Sequence, residues 1–323
     1  MPRKPRNDVA IVVAGQAGQG IQTIESILTM VLKRTGYHVF GTKEYMSRIR
    51  GGSNSTLIRV GSDRTPANVD RIDILVPLDD DAIDHLDSRI SRETLIIGDK
   101  ESLNTDCEVL DISFTGIAEE AGGKIFANTV AIAVLSGILE GELDVLEEYL
   151  SHHFKKKGES VVGKNLEAAR RGYSRGCDLR SSGKVTFDLQ KNTGTDDDIV
   201  LSGGQAVALG AVSGGCRFIS SYPMSPGTTV LAYMARNDSR LGLIVEQAED
   251  EIAAVNMAIG AWYAGGRAMV TTSGGGFALM EEGVSLAGIT ESPLVVHLGQ
   301  RPGPATGMAT RTEQGDLDPV GLG

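Results

Sequence analysis

The sequence predicts an α/β protein whose last third is a mostly parallel, doubly wound sheet. Two observations predict this. From Ile199 onward, short apolar runs alternate with helical stretches, separated by glycine- and proline-rich turns. Near the start, a short apolar run at Val9–Val13 passes through the glycine turn AGQAGQG directly into a helical pattern. Between these regions, Gly176–Asp198 is polar with no helical period and reads as a linker. The 323 residues therefore divide into residues 1–175, a linker at 176–198, and residues 199–323.

Composition narrows the class. Hydrophobic residues make up 41% of the chain, enough for sizeable cores, and the net charge of -11 argues against a nucleic-acid binder. The 41 glycines exceed the usual share of about 7%. They sit in tight turns, which suits close backbone approach to phosphates. Cys107, Cys177 and Cys216 are far apart and form no CxxC pair, so neither a disulfide framework nor an iron–sulfur site is expected. No apolar run reaches the roughly 18 residues of a membrane span, and MPRKPRND lacks the apolar core of a signal peptide. The expectation is a cytoplasmic protein in a reducing compartment.

In the first part, Gly15, Gly18 and Gly20 open a helix with Ile21, Ile24, Ile27, Leu28, Val31 and Leu32 on one face. Strand, glycine turn and helix form the geometry of an anion site at a helix N-terminus. The same turn serves plain strand–helix packing equally well. Its spacing is G-x-x-G-x-G rather than the dinucleotide fingerprint, no P-loop lysine follows, and a nucleotide-binding dehydrogenase is a weak third reading. Thr56–Val60 reads as a strand after the basic loop SRIRGGSN. There Arg48 and Arg50 are solvated charges in the plain reading, although the glycines after Arg50 would let the loop close over an anion. IDILVPL and TLIIGD read as buried strands joined by a helix over DDDAIDHLDSRIS. KIFANTVAIAVLSGILEG and ELDVLEEYLSHHFKKKG read as helices. His152 and His153 are adjacent and receive no metal role.

In the last part, helices are expected over LSGGQAVALGAVSGG, PGTTVLAYMARN, EDEIAAVNMAIGAWYAGG and GGGFALMEEGVSLAGITE. Strands are expected over RFISSYP, LGLIVE, RAMVTTS and PLVVHLG. Ligands of such sheets bind beyond the carboxyl ends of the strands. The unusual features fall there: the Tyr222–Thr228 turn with Pro223 and Ser225, the acids Glu246–Glu251, Ser273–Gly276, and Arg301. Within the Glu251 helix, Ile252, Val255, Ile259 and Trp262 form a core stripe, with Glu251 beside Ala254 and Ala258. Desolvation there favours the neutral acid. Such an acid can hydrogen-bond a ring nitrogen of a thiamine aminopyrimidine and favour its imino tautomer. The plainer reading is an acidic helix start, with Glu249 and Asp250 complementing the dipole. Ser225, flanked by Pro223 and Pro226, is an aimed hydroxyl or an ordinary turn serine. Arg301 can hold a carboxylate through two parallel hydrogen bonds or form a structural ion pair.

At this point the motifs converge. AGQAGQGIQT, KEYMSRIRGGSN, SYPMSPGTT, EDEIAAVNMAIGAWYAGGRAMVTTSGGGFALMEEGVSLAG and VVHLGQRPGPATGMATRTEQGDL occur in order, and nearly the whole chain resembles the fused γ–α subunit of the 2-oxoacid:ferredoxin oxidoreductases. The resemblance implies a γ-type α/β domain followed by a transketolase-like thiamine pyrimidine-binding domain. It places Glu251 on the aminopyrimidine, Ser225 on the 2-oxoacid, Arg301 on the substrate carboxylate, and Arg50 in a loop reaching the active site. Tyr222, Pro223, Ser273 and Gly274 would line the cofactor. The implied reaction converts a 2-oxoacid and coenzyme A into acyl-CoA, carbon dioxide and reduced ferredoxin, with 2-oxoglutarate favoured over pyruvate and branched-chain oxoacids. Mg2+ and a [4Fe-4S] cluster are expected on a separate β subunit, without which the chain would not turn over. The partners implied are that subunit and ferredoxin in a hetero-oligomer, with neither nucleic acid nor membrane. The tail DPVGLG reads as a shortened α region, and a non-catalytic assembly or binding piece of the same complex is the alternative.

Overall fold

A computed structural model of the chain describes residues 6–46, 52–183, 185, 187–300, 309–310, 316 and 320–321. They fall into two compact units, Met1–Val200 and Leu201–Gly323.

The first unit opens with strand β1 (Asp8–Gln16), the glycine turn and helix α1 (Ile21–Arg34). The six apolar residues expected on one face of α1 are all buried. Gly18 and Gly20 adopt positive φ, 99° and 84°, which a side chain would resist. Gly20 also lies against the Asn128 amide, and Gly15 is crowded by Gln19 and Leu78. Packing therefore accounts for two of the three glycines. The turn also borders a cavity of about 330 Å³ that reaches Lys43, Glu44 and Asn54.

Strands β2 (His38–Met46) and β3 (Ser53–Gly61) form an antiparallel pair, and β3 is antiparallel to β1. Strand β4 (Ile74–Pro77), helix α2 (Asp81–Leu86), β5 (Leu95–Gly98) and β6 (Val109–Asp111) continue the unit. The strand order is β2-β3-β1-β4-β5-β6, parallel from β1 onward. Helices α3 (Phe114–Glu120), α4 (Ala127–Ile138), α5 (Leu143–Phe154) and α6 (Glu159–Ser181) follow.

Helix α6 corrects the linker expectation, because Gly176–Ser181 is its last turn and a half rather than linker. Its glycines permit the helix. A methyl at Gly172 would lie 2.7 Å from the Val130 carbonyl oxygen, and one at Gly176 would lie 3.0 Å from Gly137 Cα. The glycines that locally weaken α6 are what let it touch α4. Residues beyond it are also held to this unit. Asn192 N–H donates to Gly36 O at 2.7 Å, and Asp198 pairs with Arg64 at 3.2 Å.

At the amino end of β1, Asp8 accepts from Arg59 at 2.6 Å and from Arg71 at 2.5 Å. Burial alone would push the Asp8 carboxyl up, but hydrogen bonds and charge from Arg71 and Arg59 outweigh it and hold the carboxyl below the usual range. A carboxylate lowered in the fold stabilises it above its unfolded value of about 4 and loses that contribution as pH falls through the folded value. Asp8→Asn is expected to cost about 2 kcal/mol at neutral pH. It should also flatten the acid limb of the stability curve below about pH 4. Urea unfolding at a series of pH values checks both; an unchanged acid limb would contradict the pairing.

The second unit alternates throughout: α7 (Gly203–Ser213), β7 (Phe218–Ser221), α8 (Thr228–Arg236), the short α9 (Asp238–Leu241), β8 (Ile244–Gln247), α10 (Glu251–Tyr263), β9 (Ala268–Thr272), α11 (Gly274–Ile289) and β10 (Val295–Leu298). The strand order is β10-β9-β7-β8 and every neighbouring pair is parallel. Each face of the sheet has its own core. Met269 packs with Ile219, Val230 and Met234 on one side. Val270 packs with Val255, Ile259 and Met280 on the other. This is the doubly wound sheet the alternation predicts. The core stripe of α10 needs one correction: Ile252 is 50% exposed. At 100° per residue, Glu251 shares the inward face with Val255, Ala258 and Trp262, which turns Ile252 outward.

Candidate active site

The carboxyl ends of the four parallel strands lead into the segments singled out from the sequence. Tyr222–Gly227 follows β7, Ala248–Asp250 follows β8, Ser273 follows β9, and Gly299–Gln300 follows β10.

Glu251 is the most unusual residue among them. It is 3% exposed, and its Oε1 is buried with no hydrogen-bond partner among the described residues. The plain reading of an acidic helix start applies to its neighbour instead: Asp250 Oδ1 accepts from the Ala253 N–H at 2.7 Å and caps α10. Glu251 faces the start of α11. A methyl at Gly276 would overlap Thr272 Oγ1 and lie 2.8 Å from Glu251 Oε1. Only glycine fits there because Thr272 Oγ1 and, less closely, the Glu251 side chain occupy the space.

Ser273 stands at the N-cap position of α11, fully buried, yet its hydroxyl caps nothing and has no partner among the described residues. A methyl at Gly274 would overlap the Asp316 carboxylate, whose Oδ2 is also buried and unpartnered, as is Gln300 Oε1. An unmade hydrogen bond at a buried polar atom costs about 1–3 kcal/mol. Four such atoms lie at one edge of the sheet, each wanting a partner that the described residues do not supply.

The Tyr222–Gly227 turn lies at the same edge. Tyr222 is 40% exposed, Pro223 is half-buried and Ser225 is exposed, with a cis peptide bond to Pro226. The described contacts thus bring Glu251 together with Thr272 and Gly276. They do not link Ser225 to Glu251. Arg301, Arg50 and Arg48 lie outside the described residues.

Residues 10–175 match the family model described as pyruvate ferredoxin/flavodoxin oxidoreductase, and residues 209–318 match that family's thiamine-diphosphate-binding model. The chain belongs to the 2-oxoacid:ferredoxin oxidoreductase family. Among its relatives, the 2-oxoacid:ferredoxin oxidoreductase subunit alpha of a Sulfolobus species is 29% identical over 95% of this chain and 56% of its own length. The 2-oxoglutarate synthase subunit KorA of Methanocaldococcus jannaschii is 45% identical over 36% of this chain and 32% of its own. A solved 2-oxoglutarate:ferredoxin oxidoreductase from Magnetococcus marinus, with 2-oxoglutarate, coenzyme A and succinyl-CoA bound, is 32% identical, with a TM-score of 0.86 over 97% of this chain and 56% of that one. The chain spans 56% to 58% of four of the curated full-span relatives it matches.

In this 2-oxoacid:ferredoxin oxidoreductase chain, the orphaned atoms fall inside the matched thiamine-diphosphate-binding segment. Five residues of the edge were not picked out from sequence: Thr271, Thr272, His297, Gln300 and Asp316. A histidine inside the apolar run PLVVHLG was the available signal for His297. Burial lowers its pKa, so the ring is held neutral. Among the described residues, no helix is long and apolar enough to cross a membrane.

Proposed function

We propose that this chain supplies the aminopyrimidine-binding half of a thiamine diphosphate-dependent 2-oxoacid:ferredoxin oxidoreductase. Together with a β subunit, the enzyme converts 2-oxoglutarate and coenzyme A to succinyl-CoA, carbon dioxide and reduced ferredoxin. The observation that carries the reading is the buried Glu251 Oε1, unpartnered among the described residues, beside the glycine-only start of α11. A carboxyl oxygen, a hydroxyl and an amide oxygen without partners match the donors and acceptors of an aminopyrimidine ring, and Gly274 and Gly276 leave room at the helix start for the Asp316 and Glu251 carboxyls.

Glu251 would hold the pyrimidine edge of the cofactor, its carboxyl offering a hydrogen bond and a proton to a ring nitrogen. Ser273 offers a hydroxyl at the α11 N-terminus, and Tyr222 and Pro223 wall the ring. The chemistry that thiamine diphosphate supplies when bound is a nucleophilic carbon and an electron sink for decarboxylation. Ser225 presents its hydroxyl to the oxoacid, Arg301 holds the carboxylate next to the keto group, and Arg50 holds the distal one. Mg2+, the [4Fe-4S] cluster and the ferredoxin contact belong to the β subunit. The relatives named for 2-oxoglutarate, one of them with 2-oxoglutarate and succinyl-CoA bound, support that substrate over pyruvate.

The test uses the protein purified from its source with whatever accompanies it. Dye reduction dependent on both 2-oxoglutarate and coenzyme A is expected, and Arg50→Ala should lose 2-oxoglutarate turnover selectively over pyruvate. If no 2-oxoacid supports coenzyme-A-dependent reduction, the chain is a binding or assembly piece instead.

A further inference from the structure

Thr271 and His297 face each other in register across the β9–β10 ladder. Thr271 Oγ1 lies 3.1 Å from the Gly227 carbonyl oxygen and 2.8 Å from His297 Nδ1. A carbonyl only accepts, so both contacts are met together only when the single hydroxyl proton goes to Gly227 O. The second contact is satisfied only if His297 carries its proton on Nδ1 and donates it to Oγ1. His297 therefore orients the Thr271 hydroxyl towards Gly227.

The main chain of the same threonine holds the other end of the turn. Ser221 Oγ, at the end of β7, donates to Thr271 O at 2.5 Å. Thr271 is thus bonded to Ser221 before the Tyr222–Gly227 turn and to Gly227 at its close. Shape reinforces the closing contact. A methyl at Gly227 would lie 2.9 Å from Thr271 Oγ1, and a methyl at Gly299, just after β10, would lie 3.0 Å from Gly227 N. Thr271 is 1% exposed, so a lost hydroxyl proton leaves the Gly227 carbonyl with the Val230 N–H, 3.1 Å away, as its remaining donor and no solvent to replace Thr271 on that side.

We propose that Thr271, oriented by His297, is a positioning residue that sets the Tyr222–Gly227 turn and so the place of the Ser225 hydroxyl. The inference rests on the reading of Ser225 as the group presented to the oxoacid. It assigns substrate recognition, rather than cofactor binding, to a threonine–histidine pair on the opposite face of the sheet from Glu251.

The test measures kcat/KM for 2-oxoglutarate and thiamine diphosphate affinity in the complete complex. Thr271→Val and Ser225→Ala are each expected to lower kcat/KM about tenfold, the loss of one hydrogen bond of roughly 1.4 kcal/mol, with cofactor affinity unchanged. Thr271→Ser, which keeps the hydroxyl, should recover to within about twofold. His297→Leu should lose about threefold, and His297→Asn, whose amide N–H can take the place of Nδ1–H, should restore it. Combining Thr271→Val with Ser225→Ala should be no worse than Ser225→Ala alone. An impaired Ser225→Ala beside a normal Thr271→Val overturns the positioning role alone. Equal loss of cofactor affinity and kcat/KM in Thr271→Val overturns it as well, by making the residue merely structural. An unchanged Ser225→Ala removes the reading of Ser225 and the proposal with it.

Discussion

Glu251→Gln is expected to lower 2-oxoacid-dependent dye reduction by about 10²- to 10⁴-fold, the range lost with a proton-transferring group. Stability should hardly change. Glutamine keeps the shape and volume of the side chain and can still offer a hydrogen bond to a ring nitrogen, but it cannot exchange a proton with it. Because Glu251 Oε1 has no partner among the described residues, the substitution breaks no hydrogen bond made by that oxygen. Replacing a buried carboxyl by a neutral amide also carries no added desolvation cost. The pairing of lost turnover with an unmoved thermal midpoint separates a functional carboxyl from a structural one. A parallel fall in stability would place Glu251 among the groups that hold the fold.

The second large effect is expected at Gly276. Alanine there would put a methyl onto Thr272 Oγ1 and within 2.9 Å of Glu251 Cγ, on the backbone of a helix start that cannot swing away. Overpacking of this kind costs about 1–3 kcal/mol. The larger consequence is that the Glu251 carboxyl is displaced. Titration of the complex with thiamine diphosphate and Mg2+ should show affinity lost by more than an order of magnitude. Gly288, on the same helix, is the control. It is exposed and nothing lies within 4 Å of an added methyl, so Gly288→Ala should stabilise the helix by about 0.5–1 kcal/mol and leave binding alone. Equal behaviour of the two variants would contradict the packing of Glu251 against α11.

The second unit was the more legible half of the sequence. Each of its strands is a short apolar run and its turns are rich in glycine or proline, so local pattern and tertiary fold agree. The first unit hides several of its elements, β2, β6, α3 and α6 among them. β2 carries Lys43 and Glu44, and the buried Glu44 accepts from Ser55 Oγ at 3.0 Å with His85 Nε2 3.0 Å away. Those partners come from β3 and α2, where no local window can find them. The linker expectation began at Gly176, within α6, yet Gly172 and Gly176 are where α4 presses against that helix.

The site shows the same division. Glu251 stood out as an acid among alanines, and Ser225, Ser273 and Gly274 stood out by position after strands. That Ile252 turns outward while Glu251 takes the inward place is a matter of helix phase, fixed by packing against α11 rather than by composition. The Thr271–His297 pairing was not legible, because a histidine in an apolar run marks His297 alone and Thr271 looks like an ordinary strand residue until β9 and β10 are laid side by side.

The most direct measurement is the rate at which the C2 proton of thiamine diphosphate exchanges with deuterium in the assembled complex, followed by quenched-flow proton NMR. If Glu251 activates the aminopyrimidine, the wild-type complex exchanges that proton far faster than free cofactor does, and Glu251→Gln returns it close to the free rate with the cofactor still bound. Equal exchange rates in wild type and Glu251→Gln would contradict the account.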